Sequence, residues 1–295
     1  MKTRVISGLI MLPLLAVVFI NGYVLYAATF IIALMAVKEF YNGFKAMGIR
    51  ASYPVAVVAT VCLFVIGVAN DVWLRAGNEM SSGWFVLFDK TGYKLYLMWF
   101  FGCILVCLLY MFRVKDIKME DAMATLVGIF YIVFFSFHIA LISQDSMMNI
   151  MVWFVIISAF GTDIMAYFSG YLFGKHKLCP NISPKKTIEG AIGGTLGSVI
   201  LCVAFGYLFA RDIAVWTDSD LVHYIVIGLL GGIVSQLGDL TASVFKRRMG
   251  IKDYGNLIPG HGGILDRFDS VLFTGPLVYY YTVFVLYGGQ SFFFY

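Results

Sequence analysis

Charge is what this chain of 295 residues has least of. Only 13% of its residues are Asp, Glu, Lys or Arg, whereas a soluble domain carries about 25%. With 61% hydrophobic residues, no soluble fold of this length could hide its apolar surface, so the surrounding medium must be lipid. Strand-like alternation of apolar and polar residues is lacking, which removes a membrane β-barrel. The five cysteines form no CxxC and no metal-finger spacing, and four lie in apolar runs. That argues against a disulfide framework and against zinc. No GxxxxGK[ST] loop, HExxH, GxSxG or Cys/His nucleophile pair is present, which disfavours P-loop, zinc-peptidase and hydrolase chemistry. No Pro/Ser-rich linker or low-complexity tract divides the chain.

What is there is a series of long apolar runs. They fall at roughly 5–20, 23–42, 53–69, 93–112, 122–143, 148–172, 188–209, 221–244 and 270–289. Each is long enough to cross a bilayer as a helix, and only helices or closed barrels satisfy their backbone there. The expected fold is therefore all-α, a polytopic integral membrane protein with about nine transmembrane helices. The basic, apolar start imitates a secretory signal, but Asn21-Gly22-Tyr23 offers no small-residue cleavage site, so the first span is expected to be retained. With the N-terminus in the cytoplasm, 17 of the 21 Lys and Arg residues fall on the inner side, as the positive-inside rule requires. A single membrane domain over 1–295 is expected. Residues 1–150 would be mainly an apolar helical scaffold, and 151–295 would hold the catalytic helices and cytoplasmic loops.

The chemistry-bearing residues gather after Asp163. Asp239 lies near the inner end of the eighth run, and a carboxylate in hydrocarbon costs about 2.5–3.5 kcal/mol or more unless partnered. Gln236, Asp239 and Ser243 share a helix face and offer oxygen. Asp266 and Asp269 are expected near the start of the ninth helix, where the loop can return Asp266 beside Asp239. Two carboxylates with hydroxyls and substrate phosphates suit Mg²⁺; the plainer alternative is that each Asp pairs with an Arg. Lys246, Arg247, Lys252 and Arg267 supply positive charge, and the glycines Gly262 and Gly263 before a helix can form an anion nest. Ser183-Pro184-Lys185-Lys186-Thr187 reads as a helix start, with Ser183 as N-cap and Pro184 in the first turn. Lysines there oppose the helix dipole, a mismatch that a phosphate, or in part Glu189, would repair. His261 is the one histidine in a polar cluster, open to roles as general base, phosphate donor or packing residue. His138 and His223 read as structural. Small residues in the seventh and eighth runs, such as Gly190, Gly194, Gly231 and Gly238, read as sites of close helix packing.

The run Ser243-x-Phe245-Lys246-Arg247, then Lys252-Asp253-x-Gly255, then Pro259-Gly260-His261-Gly262-Gly263-x-x-Asp266-Arg267-x-Asp269 resembles the signature of the phosphatidate cytidylyltransferases. Gln236-x-Gly238-Asp239 and Ser183 to Gly190 also look like segments of that family. A DGxxAR stretch, as in the CDP-alcohol phosphotransferases, is missing. The resemblance implies a Mg²⁺-dependent enzyme, accompanied by a monovalent cation such as K⁺, that joins CTP to phosphatidic acid and releases pyrophosphate. It implies Asp239 and Asp266 as metal ligands, with Lys252 and His261 completing a catalytic set. Substrate contacts would come from Ser183, Lys185, Lys186, Thr187, Ser243, Lys246, Arg247, Gly262, Gly263 and Arg267. It further implies a homodimer in a bacterial cytoplasmic membrane, with a cavity open to the cytoplasm and no nucleic-acid partner. Two competing readings are another CTP-dependent lipid enzyme, such as a polyprenol kinase, and an ion-coupled transporter using Asp163 and Asp239.

Overall fold

The structure is a computed structural model that describes residues 22–75, 93–113, 117–144, 149–210, 220–257 and 262–286. The span expected over 5–20 lies outside the described residues. Eight helical spans among the described residues are long and apolar enough to cross a membrane. They are α1 (Gly22–Ala46), α2 (Tyr53–Arg75), α3 (Tyr93–Arg113), α4 with α5 (Met119–Gly128 and Phe135–Gln144), α6 with α7 (Met151–Ile156 and Thr162–Phe173), α8 (Ile188–Phe205), α9 (Asp220–Arg248) and α10 (Leu265–Tyr281). Single π-helical segments interrupt two of these spans, at Ile129–Phe134 and Ile157–Gly161. Such a bulge re-aims the side chains beyond it, and Asp163 lies two residues past the end of the second one. The polytopic all-α expectation holds. The last span begins at Leu265, five residues before the apolar run, because polar residues 266–269 form its first turns inside the protein.

One departure is local. Ser183–Thr187 is a β-strand (β2), paired antiparallel with β1 (Lys177–Cys179). Ser183 is therefore not a helix cap, and Pro184 is not in a first turn. A residue before proline avoids the helical region, and proline itself, lacking an N–H, suits an edge of a two-stranded ribbon. The cap of α8 is Thr187, whose side chain accepts the Gly190 N–H at 3.1 Å. Glu189 turns back to the hairpin, accepting the backbone N–H groups of Lys175 and His176 and meeting His176 Nδ1 at 2.6 Å.

Helix packing follows the small residues. A Cβ on Gly194 would come within 2.8 Å of Ala166 on α7, and one on Gly228 within 2.6 Å of the Val199 backbone on α8. A Cβ on Gly238 would approach the Asp269 carbonyl oxygen to 2.7 Å. Lipid provides no hydrophobic drive between helices, so this backbone-to-backbone approach is what joins α7, α8, α9 and α10. The N-terminal helices attach through aromatic contacts. Phe40 on α1 meets Phe245 on α9 edge-on at 5.1 Å and Tyr131 at 5.5 Å. His138 is buried with Nδ1 2.8 Å from the Phe134 carbonyl, and His223 Nδ1 meets the Tyr281 hydroxyl at 2.8 Å, so both are structural.

Beside Phe40, Glu39 reaches the first turn of α10. Its carboxylate accepts the N–H of Ile264 at 3.1 Å and of Leu265 at 2.9 Å. Gly255 and Gly263 lie against it; a Cβ on Gly255 would fall 2.6 Å from Oε1. An acid on a membrane helix thus satisfies orphan donors of a helix more than two hundred residues away. Glu39→Gln leaves one acceptor oxygen for two N–H groups and turns an amide donor toward them. The expected cost is about 1–3 kcal/mol, measured as a lower thermal-unfolding midpoint in detergent. An unchanged midpoint would show that this cap adds nothing to stability.

Candidate active site

Four acids converge where α7, α9 and α10 meet the β-hairpin, and they divide into two environments. Asp266 is saturated. Its Oδ1 meets Lys246 Nζ at 2.8 Å, and its Oδ2 accepts the N–H groups of Tyr254 (2.8 Å) and Gly263 (3.0 Å). Its side chain is 2% exposed. Gly262 has φ +86°, and a Cβ there would also sit 2.8 Å from Asp266 Oδ2, so the turn feeding α10 needs glycine twice over. Tyr254 closes this side. Its hydroxyl donates to the Ala242 carbonyl at 3.0 Å, its ring lies 5.4 Å under Lys246 Nζ, and burial pushes its phenol up, so it stays neutral.

Asp163, Asp239 and Asp269 form the second environment. They lie within electrostatic range of one another. Ser270 Oγ stands 3.2 Å from Asp163 Oδ2 and 3.4 Å from Asp269 Oδ1, so its single proton can serve either acid but not both at once. The Ser270 N–H also donates to Asp269 Oδ1 at 2.8 Å. Asp239 pairs with Lys186 of the hairpin, and Ser243 Oγ lies 3.4 Å from its Oδ1. Asp239 and Asp269 approach because Gly238 permits the α9–α10 contact. Gln236, on the same face, is directed to α8 instead: its Nε2 lies near the Ala191 carbonyl (3.1 Å) and Thr195 Oγ1 (2.9 Å).

Among the described residues, no three His, Cys, Asp or Glu side chains are placed to enclose a metal ion. A cation shared with substrate needs fewer protein ligands, and the donor set suits one. Three carboxylates offering only oxygen stand with Lys186 as the one direct ion-pair partner among the described residues. That excess of negative oxygen fits Mg²⁺.

Two cavities open on this cluster, and Asp163 lines both. One, of about 450 Å³, is bounded by Lys185, Lys186, Thr187, Gln236 and Asp239. The other, of about 440 Å³, is walled by apolar side chains of α1, α6 and α10, with Asp266, Arg267 and Asp269 at one end. The Arg267 Nε is buried there without a hydrogen-bond partner.

The residues expected from sequence are thus distributed unevenly. Asp239, Lys185, Lys186 and Thr187 share one cavity, Asp266 and Arg267 the other. Thr187 also caps α8 and packs on Gly170 and Gly174. Lys246 is bound to Asp266. Arg247 donates through Nε to the Ile182 carbonyl at 3.2 Å, tying α9 to the hairpin. Lys252 is exposed, and Ser183 belongs to β2. His261 lies outside the described residues. The helix start expected to hold phosphate has its Gly263, Ile264 and Leu265 N–H groups bonded to Asp266 and Glu39. Two contributors were missed or left unassigned: Glu39, and Asp163 as the residue common to both cavities. The available signal for each was its presence as an acid inside a membrane span.

Residues 2–285 match the model of the cytidylyltransferase family. The chain is 32% identical to a phosphatidate cytidylyltransferase of Synechocystis, across 96% of this chain and 97% of that protein. It is 31% identical to a phosphatidate cytidylyltransferase of Staphylococcus haemolyticus, across 94% and 97%. A 133-residue stretch reaches 43% identity with the phosphatidate cytidylyltransferase of Haemophilus influenzae, over 45% of this chain and 46% of that one. With the acid cluster, hairpin lysines and paired cavities carried on a multi-pass helical bundle, the chain belongs to the cytidylyltransferase family.

Proposed function

We propose that the chain transfers the cytidylyl group of CTP to phosphatidic acid, giving CDP-diacylglycerol and pyrophosphate for phospholipid synthesis. The observation that carries this reading is the pair of unlike cavities meeting at Asp163. One is edged by Lys185 and Lys186 and matches a nucleotide triphosphate; the other is apolar, has Arg267 at its charged end with Nε free of hydrogen bonds, and matches a lipid phosphate. In the reaction, an oxygen of the lipid phosphate attacks the α-phosphorus of CTP. A new P–O–P link forms as the bond to the β-phosphate breaks, and pyrophosphate leaves with that electron pair. The nucleophile is already anionic, so the barrier is the meeting of two polyanions, and catalysis is mainly positioning and charge neutralisation.

Lys185 and Lys186 hold the triphosphate in this reading, and Lys186 would exchange Asp239 for substrate oxygens. Arg267 holds the lipid phosphate. Bound Mg²⁺, with a monovalent cation such as K⁺ beside it, would supply Lewis-acid neutralisation of phosphate charge. Asp239 is the first ligand in this reading, with Asp269 or Asp163 beside it. Asp266 joins only by giving up Lys246, which would free that ammonium for pyrophosphate. The distribution of Lys and Arg supports an opening on the cytoplasmic side, and the bacterial relatives support a bacterial membrane. A homodimer, implied by the family resemblance, completes the reading and is checked by cross-linking in native membranes.

Purified protein given CTP, Mg²⁺ and phosphatidic acid is expected to release pyrophosphate and form a nucleotide-lipid. A phosphorylated alcohol with CDP would establish the polyprenol kinase reading instead. Substrate flux in sealed vesicles without CTP turnover would establish a transporter. Asp239→Asn is expected to lower kcat by about 10²–10³-fold, on the scale of losing one electrostatic stabiliser; a rate within a few-fold of the parent would remove its metal role. Lys186→Ala is expected to raise the KM for CTP on the order of tenfold, the loss of a charged contact of about 1.5 kcal/mol, without changing the amount of folded protein. Equal kinetics in variant and parent would dissolve the lysine clamp.

A further inference from the structure

The apolar cavity extends far beyond the groups at its charged end. From Asp163, Arg267 and Asp269 it continues along α1 past Ala36, Ile32 and Ala28 to Leu25. That stretch of helix rises about 16 Å, roughly half of the ~30 Å hydrocarbon core and so the depth of one leaflet. Val152, Val155 and Ile156 of α6 face α1 across it. Its polar lining offers no spare donor, because Thr29 Oγ1 donates to the Leu25 carbonyl (2.8 Å) and Ser136 Oγ to the Ile132 carbonyl (2.6 Å). The orphaned nitrogen is Arg267 Nε, at the charged end. An occupant must therefore be apolar for one leaflet's depth, and the one place in the lining for an anionic group is beside Arg267.

We infer that this cavity seats one acyl chain of the lipid substrate, and that Ala28 and Ile156 toward its far end set the chain length accepted. The inference rests on the proposed function and deepens it. The chain lies between α1 and α6 while its phosphate meets Arg267, so the N-terminal helices act as a ruler for the lipid rather than as a passive scaffold.

The test uses full-length protein with CTP, Mg²⁺ and either dioctanoyl or dioleoyl phosphatidate. Ala28→Trp fills the far end and leaves the charged end untouched. Its dioleoyl-to-dioctanoyl ratio of kcat/KM is expected to fall about tenfold, since burying two methylenes is worth about that factor, because dioleoyl turnover falls more than dioctanoyl turnover. Ile156→Ala enlarges the same region and is expected to move the ratio the other way. Native mass spectrometry gives a readout independent of turnover: the parent should retain dioleoyl phosphatidate, and Ala28→Trp should release it. A parent that retains phosphatidate in this variant-sensitive way yet makes no nucleotide-lipid overturns the proposed function and leaves the acyl site standing. Unchanged ratios in both folded variants, or equal retention of neutral-headgroup lipid by parent and variant, overturn the acyl site.

Discussion

A carboxylate placed inside a helical bundle in lipid must be met by donors or by cations, and this protein meets that demand in two opposite ways. Glu39 and Asp266 are fully served by backbone N–H groups and Lys246. They close the start of α10 and fix the loop that precedes it. Asp163, Asp239 and Asp269 are served by one serine hydroxyl, one backbone N–H, a second hydroxyl and a single lysine. The first set holds the frame still, so the second set can remain short of positive charge without the helices moving apart.

That shortage is what a site for polyanions and their counter-cations needs. A site with fully paired acids would have to break strong contacts to admit a divalent ion, whereas an under-neutralised one gains from it. The lysines sit opposite, on a hairpin rather than on the helix start. Their segment is extended and lies outside the first turn of α8, which Thr187 caps. The unfavourable placement of Lys185 and Lys186 disappears once their segment is extended.

Close packing makes this arrangement possible. Glycines on α8 and α9 let backbones approach to distances that a methyl group would prevent, and the Gly238 contact carries Asp239 to Asp269. In a membrane such contacts replace the hydrophobic effect as the source of tertiary order. The acids and glycines are therefore one system, because the small residues decide how near the carboxylates come.

Much of this was legible in the residues themselves. Apolar run length and the scarcity of charge fix the spans, because lipid tolerates little else. The spacing from Ser243 to Asp269 pointed to the family, and glycines such as Gly190, Gly194, Gly231 and Gly238 to packed helices. Three features were not legible. Ser183–Thr187 pairs with β1, a choice that depends on a strand several residues upstream rather than on local cap preference. Glu39 serves α10 across the whole chain, and no local pattern encodes a partner at that separation. Asp163 and Asp269 come to share the Ser270 hydroxyl, while Asp266, one helical turn away from Asp269, turns to Lys246. Composition determined that this chain lives in a bilayer and that its acids need partners. Only the tertiary fold decided which acids received them, because neighbours across helices are set by backbone approach and not by order along the chain.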